Sequence, residues 1–236
     1  MADSPLTAPS ALKSYARTSA LAVALGSGVS HWLAHRHPVR RILMLHGVGG
    51  STMPPGDFQR VMSWLKQRYA IVPLDLMVRE ILDGVPAPAG TGRSQLAITF
   101  DDGLCNQYRI ARPILEQLEI PATIFVCPGL VDDGQWMWNH EARARLRRLS
   151  DEGLMECAQT LNSPAHHLEG FIAWMKTLPL PQRQQAQDVL RDCTPSFVPT
   201  PAEHEAYDMM SWDEVRACDH GRLTIGSHTM THPILP

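Results

Sequence analysis

Leu96-Ala97-Ile98-Thr99-Phe100-Asp101-Asp102-Gly103 is the stretch on which the reading of this chain turns. Its first five residues are apolar or β-branched and too few for a helix, so they read as a strand buried on both faces. The run then stops at two adjacent carboxylates and a glycine. Like charges this close raise one pKa and resist joint ionisation unless a cation or hydrogen-bond donors compensate. The carboxyl end of a parallel strand is also where α/β folds gather their active sites. Asp-Asp-Gly by itself is equally good turn chemistry, so this cluster needs a second group before it means a site.

Outward from that strand, Arg41–Leu45 and Ala122–Val126 read as further buried strands, with shorter ones at Ala70–Pro73 and Leu223–Gly226. Helical patterns fall between them. Asp57–Arg68 carries the stripe Phe58, Val61, Met62 and Leu65, with Asp57 as its cap. Ile110–Leu118 is followed by Pro121, and Ser211–Asp219 opens with Ser211 and Glu214 in capping-box spacing, with Gly221 as a stop. Strand–helix–strand alternation predicts an α/β domain built on a parallel sheet. From about residue 129 to 208 the rhythm changes to helices (Glu141–Leu149, Gln182–Cys193) and Pro-punctuated links. Trp136, Trp138 and Trp174 there read either as core and cap residues or as flat faces lining a sugar cleft.

The second group is Ser227-His228-Thr229-Met230-Thr231-His232-Pro233. Histidines four apart share one face of a helical turn and can reach one metal ion. With one aspartate from the first cluster they make a 2-His-1-carboxylate set that leaves positions open for water and substrate. The other aspartate then stands beside a bound water, where a general base belongs. A divalent ion is implied; zinc, cobalt, nickel, iron or manganese would fit, and the ligand types do not choose among them.

Thr99–Gly103 resembles the first motif of the polysaccharide deacetylases (the NodB-homology, carbohydrate esterase 4 group), and His228–His232 is similar to their second. Pro121–Val126, Ser211–Val215 and Ile225–His228 resemble the usual surroundings of those motifs. The resemblance implies Asp101 as the base that activates water, and Asp102, His228 and His232 as the metal ligands. It implies an irregular (β/α) barrel and hydrolysis of N-acetyl groups from an N-acetylhexosamine-containing polysaccharide or glycan. The expected organisation is an amino-terminal extension, 1–40, and a deacetylase-like domain, 41–236, with a helical insertion at about 129–208.

The family's later motifs supply an Arg that holds the base, an Asp with a neighbouring Trp, and a histidine general acid; none of them can be assigned here. His140, His166, His167, His204 and His220 stand in the wrong order for that acid, and His46 reads as a cleft or structural histidine. With five strands read, the barrel is expected to be incomplete at its carboxyl end, as in a fragment of a longer protein. The alternative function is a non-catalytic metal- or glycan-binding module that lacks the acid.

A net charge of −3 gives no electrostatic reason to expect nucleic acid. Five cysteines without a C-x-x-C pair argue against a disulfide framework. Lys13 and Arg17 precede the mildly apolar run Ala20–Val29 in the order of a secretory signal, but Ser27, His31, His35 and Arg36 dilute it. A short amphipathic helix, on the domain or on a membrane surface, explains that run as well. The expected location is cytoplasmic, with export or membrane association as alternatives, and the sequence leaves oligomeric state open.

Overall fold

The structure is a computed structural model that describes residues 39–50, 52–87 and 93–233. The helix expected near Ala20–Val29 lies outside those residues. In chain order the elements are β1 (Arg40–Leu45), α1 (Pro55–Arg68), β2 (Ala70–Ile71), α2 (Leu74–Leu82) and β3 (Gln95–Phe100). A π-helical turn (Gln107–Ala111) runs into α3 (Arg112–Gln117), followed by β4 (Ala122–Val126) and α4 (Pro128–Asp133). Then come α5 (Trp138–Leu146), α6 (Asp151–Thr160), α7 (Leu168–Thr177), α8 (Leu180–Asp192), α9 (Pro201–Tyr207), α10 (Trp212–Cys218) and β5 (Leu223–Ser227).

The sheet runs β1-β3-β4-β5, every pairing parallel, with β2 set beside the start of β3. All six residues of β3 are buried, which is the consequence of an apolar run with neighbours on both sides. Parallel register brings the carboxyl ends of β1, β3, β4 and β5 to one edge of the layer. The α/β fold expected from the sequence is therefore present, and the sheet does not close into a barrel among the described residues. Ile42 and Met44 on β1 are 58% and 54% exposed, so one face of that strand has no cover among the described residues.

The main core packs Phe58, Met62 and Leu65 of α1 against Leu96, Ile98 and Phe100 of β3, with Leu115, Ile124 and Val215 completing it. Phe58 meets Phe100 edge-on, ring centroids 6.1 Å apart. A second core lies wholly within α5–α8, around Leu146, Cys157, Phe171, Ile172, Met175 and Leu190. Trp138 and Trp174 pack against this second core. Trp136 is held by Phe197, His204 and Tyr207, and its Nε1 donates to Asp208 Oδ1 at 2.7 Å. No helix among the described residues is long and apolar enough to cross a membrane.

Three local expectations change. Helix α1 starts at Pro55 after Pro54, and Asp57 sits inside its first turn rather than capping it. Proline has no N–H to satisfy and a helix-ready φ, so no side-chain cap is needed there. The expected Ile110–Leu118 helix is a π-helical turn running into α3, with Pro113, which has no N–H for the preceding turn, just after the widening. The histidine pair lies on an irregular loop rather than a helical turn, as described below. By contrast the Ser211–Glu214 capping box on α10 is formed in full.

Candidate metal centre

Phe100 is the last residue of β3, and the chain then bends sharply. Asp102 and Gly103 take φ of 81° and 80°, left-handed values that turn the Asp102 carboxylate into the sheet's edge. Gly103 is required here, because a Cβ would lie 3.0 Å from Val126. The Asp101 backbone N–H donates to Leu45 O at 2.9 Å, extending the β1–β3 ladder by one residue. Gln107, fully buried in the π-helical turn, donates from Nε2 to the carbonyls of both His46 and Asp101. One amide side chain thus clamps the ends of β1 and β3 together. Unusual helical geometry of this kind recurs at functional sites.

The histidines arrive from β5. His228 donates its backbone N–H to Val126 O at 2.7 Å, prolonging the β4–β5 pairing past Ser227. Beyond it Thr229 and His232 take φ of 62° and 52°, and the Thr229 hydroxyl accepts from the His232 backbone N–H at 3.1 Å. This is why residues four apart face one point without a helix: two left-handed residues fold the loop back on itself.

The result is a compact triad. His228 Nε2 and His232 Nε2 stand 3.8 and 3.7 Å from the same atom, Asp102 Oδ1. Tetrahedral ligands about 2.1 Å from a zinc ion are roughly 3.4 Å apart, so this spacing suits one shared cation. Asp102 is 1% exposed, and its Oδ1 has no hydrogen-bond partner. A buried carboxylate oxygen left unmatched is costly, and a cation between it and the two imidazoles would remove that cost. Burial pushes the Asp102 carboxyl up, while His46, His232 and His228 pull it back and Asp101 adds to the rise. Burial lowers the pKa of His232, keeping its ring in the neutral form that ligates metals. The donor set and its electrostatics fit a divalent ion.

The four residues singled out in the sequence therefore come together at one sheet edge: Asp102, His228 and His232 as a triad, with Asp101 (9% exposed) adjacent in the chain. Two histidines join them. His46 follows Leu45, the register partner of Phe100, and lies close enough for its charge to act on Asp102 and His232. His140, from α5, feels both His46 and His232, stacks on Tyr207 with centroids 4.6 Å apart, and has a buried Nδ1 without a partner. Chain order had set His140 aside as the general acid, because it precedes the second motif, yet α5 brings it within charge range of His46 and His232.

A family model described as polysaccharide deacetylase matches residues 89–195. Over that stretch, less than half of its length, the chain is similar to the polysaccharide deacetylases. The matched stretch takes in Asp101 and Asp102 and ends before His228. Among solved structures, a de-N-acetylase from Aggregatibacter actinomycetemcomitans is 15% identical with a TM-score of 0.41, over 81% of this chain and 55% of that one. The Streptococcus pyogenes deacetylase PplD, solved with acetate, is 17% identical with a TM-score of 0.35, over 64% and 79%. IcaB from Ammonifex degensii is 16% identical with a TM-score of 0.36, over 65% and 81%. The chain spans about half the length of the first of these, 55%. A comparison with curated proteins gave no match. The likeness to the deacetylases rests on the matched stretch, and the placing of the two histidines beside it comes from the fold alone.

Proposed function

We propose that this chain is a metal-dependent deacetylase that hydrolyses the acetamide of an N-acetylhexosamine in a polysaccharide or glycan. The observation that carries the reading is the buried, unpartnered Asp102 Oδ1 with two imidazole Nε2 atoms at 3.7 and 3.8 Å, one residue from a second aspartate. A divalent ion held by Asp102, His228 and His232, zinc being the first choice, would supply Lewis acidity to the acetamide carbonyl and acidify a water.

Asp101, the carboxylate next to the ligand Asp102, would take the proton from that water. The backbone ladder to Leu45 and the Gln107 clamp hold this residue in position. Breaking the C–N bond then requires a proton on the leaving nitrogen. His46 is our candidate for that donor, because it follows the end of the adjacent strand and its charge acts on Asp102. The products are acetate and a free amino sugar.

The test is acetate release from N-acetylglucosamine oligomers by the metal-loaded protein, beside a chelated sample and an Asp101→Asn variant. Release that needs metal and disappears in the variant supports the assignment. Tight metal binding without release would instead mark a non-catalytic module.

A further inference from the structure

Beside the triad lies a cavity of about 470 Å³, within the range of small-ligand clefts. The loop after β1 forms one wall, with His46 and Thr52; α5 with the link after it, and α9, form the other, with His140, Arg147, Glu205 and Tyr207. His46 and His140 are shared between this cavity and the triad, so the two spaces adjoin. From the geometry we infer that this cavity is a subsite for the neighbouring, uncharged pyranose of the chain being deacetylated, with Arg147 and Glu205 setting that specificity. The inference rests on the function proposed above.

Charge and satisfaction argue for that occupant. Neither Arg147 nor Glu205 is in an ion pair among the described residues, although most other acids and bases on these helices are. Among the described residues the one side-chain hydrogen bond of Arg147 is to the Tyr207 hydroxyl, at a long 3.5 Å, and its charge also acts on the exposed Glu169. One cation and one anion facing the same space offer donors and acceptors without net charge, which matches sugar hydroxyls that both donate and accept. A uronic acid or a phosphorylated ring would meet the Glu205 carboxylate. Tyr207, stacked on His140, adds a flat ring of the kind that packs on a pyranose face.

The cavity is also built rather than incidental. Asn106 accepts from the Val48 N–H at 3.2 Å and donates to the carbonyls of Glu205 and Ala206 at 3.1 and 3.3 Å. It thereby fixes the β1 loop and α9 at a set separation. Gly49, with φ of 124°, lets Glu205 approach: a Cβ there would lie 3.0 Å from Glu205 Oε1.

The experiment compares kcat/KM for an N-acetylglucosamine pentamer and for the monosaccharide, using the metal-loaded full chain and the exposed-site variants Arg147→Met and Glu205→Gln. The pentamer-to-monomer ratio is expected to fall by about tenfold or more in each variant. A ratio unchanged in both would overturn the inference while leaving the proposed chemistry standing. If the wild type releases no acetate from either sugar, the chemistry has failed, and pentamer binding by calorimetry decides the cavity separately. Binding weakened about tenfold in both variants would support the subsite, and absence of binding to the wild type would overturn it.

Discussion

Gly129 donates its backbone N–H to the carbonyl oxygen of Met230 at 2.9 Å, which ties the start of α4 to the loop carrying both histidines. A Cβ on Gly129 would lie 2.9 Å from that same oxygen and 3.2 Å from the Thr231 methyl. Gly129→Val should therefore push the loop away from Asp102. We expect the far-ultraviolet circular dichroism to stay native and metal affinity to fall by about tenfold or more, a cost of the size typical of overpacking. Unchanged affinity in a metal titration would show that the loop is held independently of α4.

The two aspartates should separate cleanly. Asp102→Ala removes a metal ligand, so both metal binding and acetate release are expected to be lost. Asp101→Asn keeps the ligand set, so metal binding should survive while turnover drops by about 10²–10⁴-fold, the usual worth of a general base. Equilibrium dialysis and acetate assay on the same preparations would read both quantities. Loss of metal from Asp101→Asn would assign that residue to the ligand set instead.

Metal should also stabilise the fold, because the triad exists only when β3 and β5 are in place. At a free ion concentration about 100 times the dissociation constant the gain is about 2.7 kcal/mol. A chelator should accordingly lower Tm in the wild type and leave Asp102→Ala unmoved. Equal shifts in both proteins would point to binding elsewhere.

His140 sets a pH dependence. Burial, with Arg143, His46 and His232 adding to it, pushes its pKa down to about 4 from 6.5. Between those values the unfolded chain binds a proton that the folded chain refuses. The stability this histidine allows is thus complete above pH 6.5 and is lost as pH falls towards 4, by about 3 kcal/mol at most. Urea midpoints of chelated wild type at pH 7 and pH 5 should differ more than those of His140→Phe. Subtracting the variant also removes the opposing contribution of Asp102, whose carboxyl is pushed up. An identical drop in both proteins would mean that His140 titrates normally.

Much of this architecture could be read from local chemistry. The β4 limits, Ala122–Val126, and the Ser211–Glu214 box coincide with their sequence signatures, because each depends on residues within one turn or strand. The triad was legible for the same reason, each half being a short motif at a strand end. His140 and the Gln107 clamp were not. Their roles depend on where helices from residue 128 onward fold back, which no spacing encodes. The polar pair Asn106-Gln107, shortly after a strand that reads as buried, was the one available signal. The histidine loop was misread as helical because a four-residue spacing suits a helical turn, while left-handed Thr229 and His232 have no signature of their own.

Five non-glycine residues among those described hold a positive φ, and three of them, Asp102, Thr229 and His232, are at the triad. Each such conformation costs roughly 1 kcal/mol or more, which the two cores must offset. Glycine or asparagine at these positions would relax the backbone and harden the protein against heat. A laboratory selection for thermal tolerance without metal would therefore be expected to erode this corner first, returning sturdier proteins with nothing left to hold the ion.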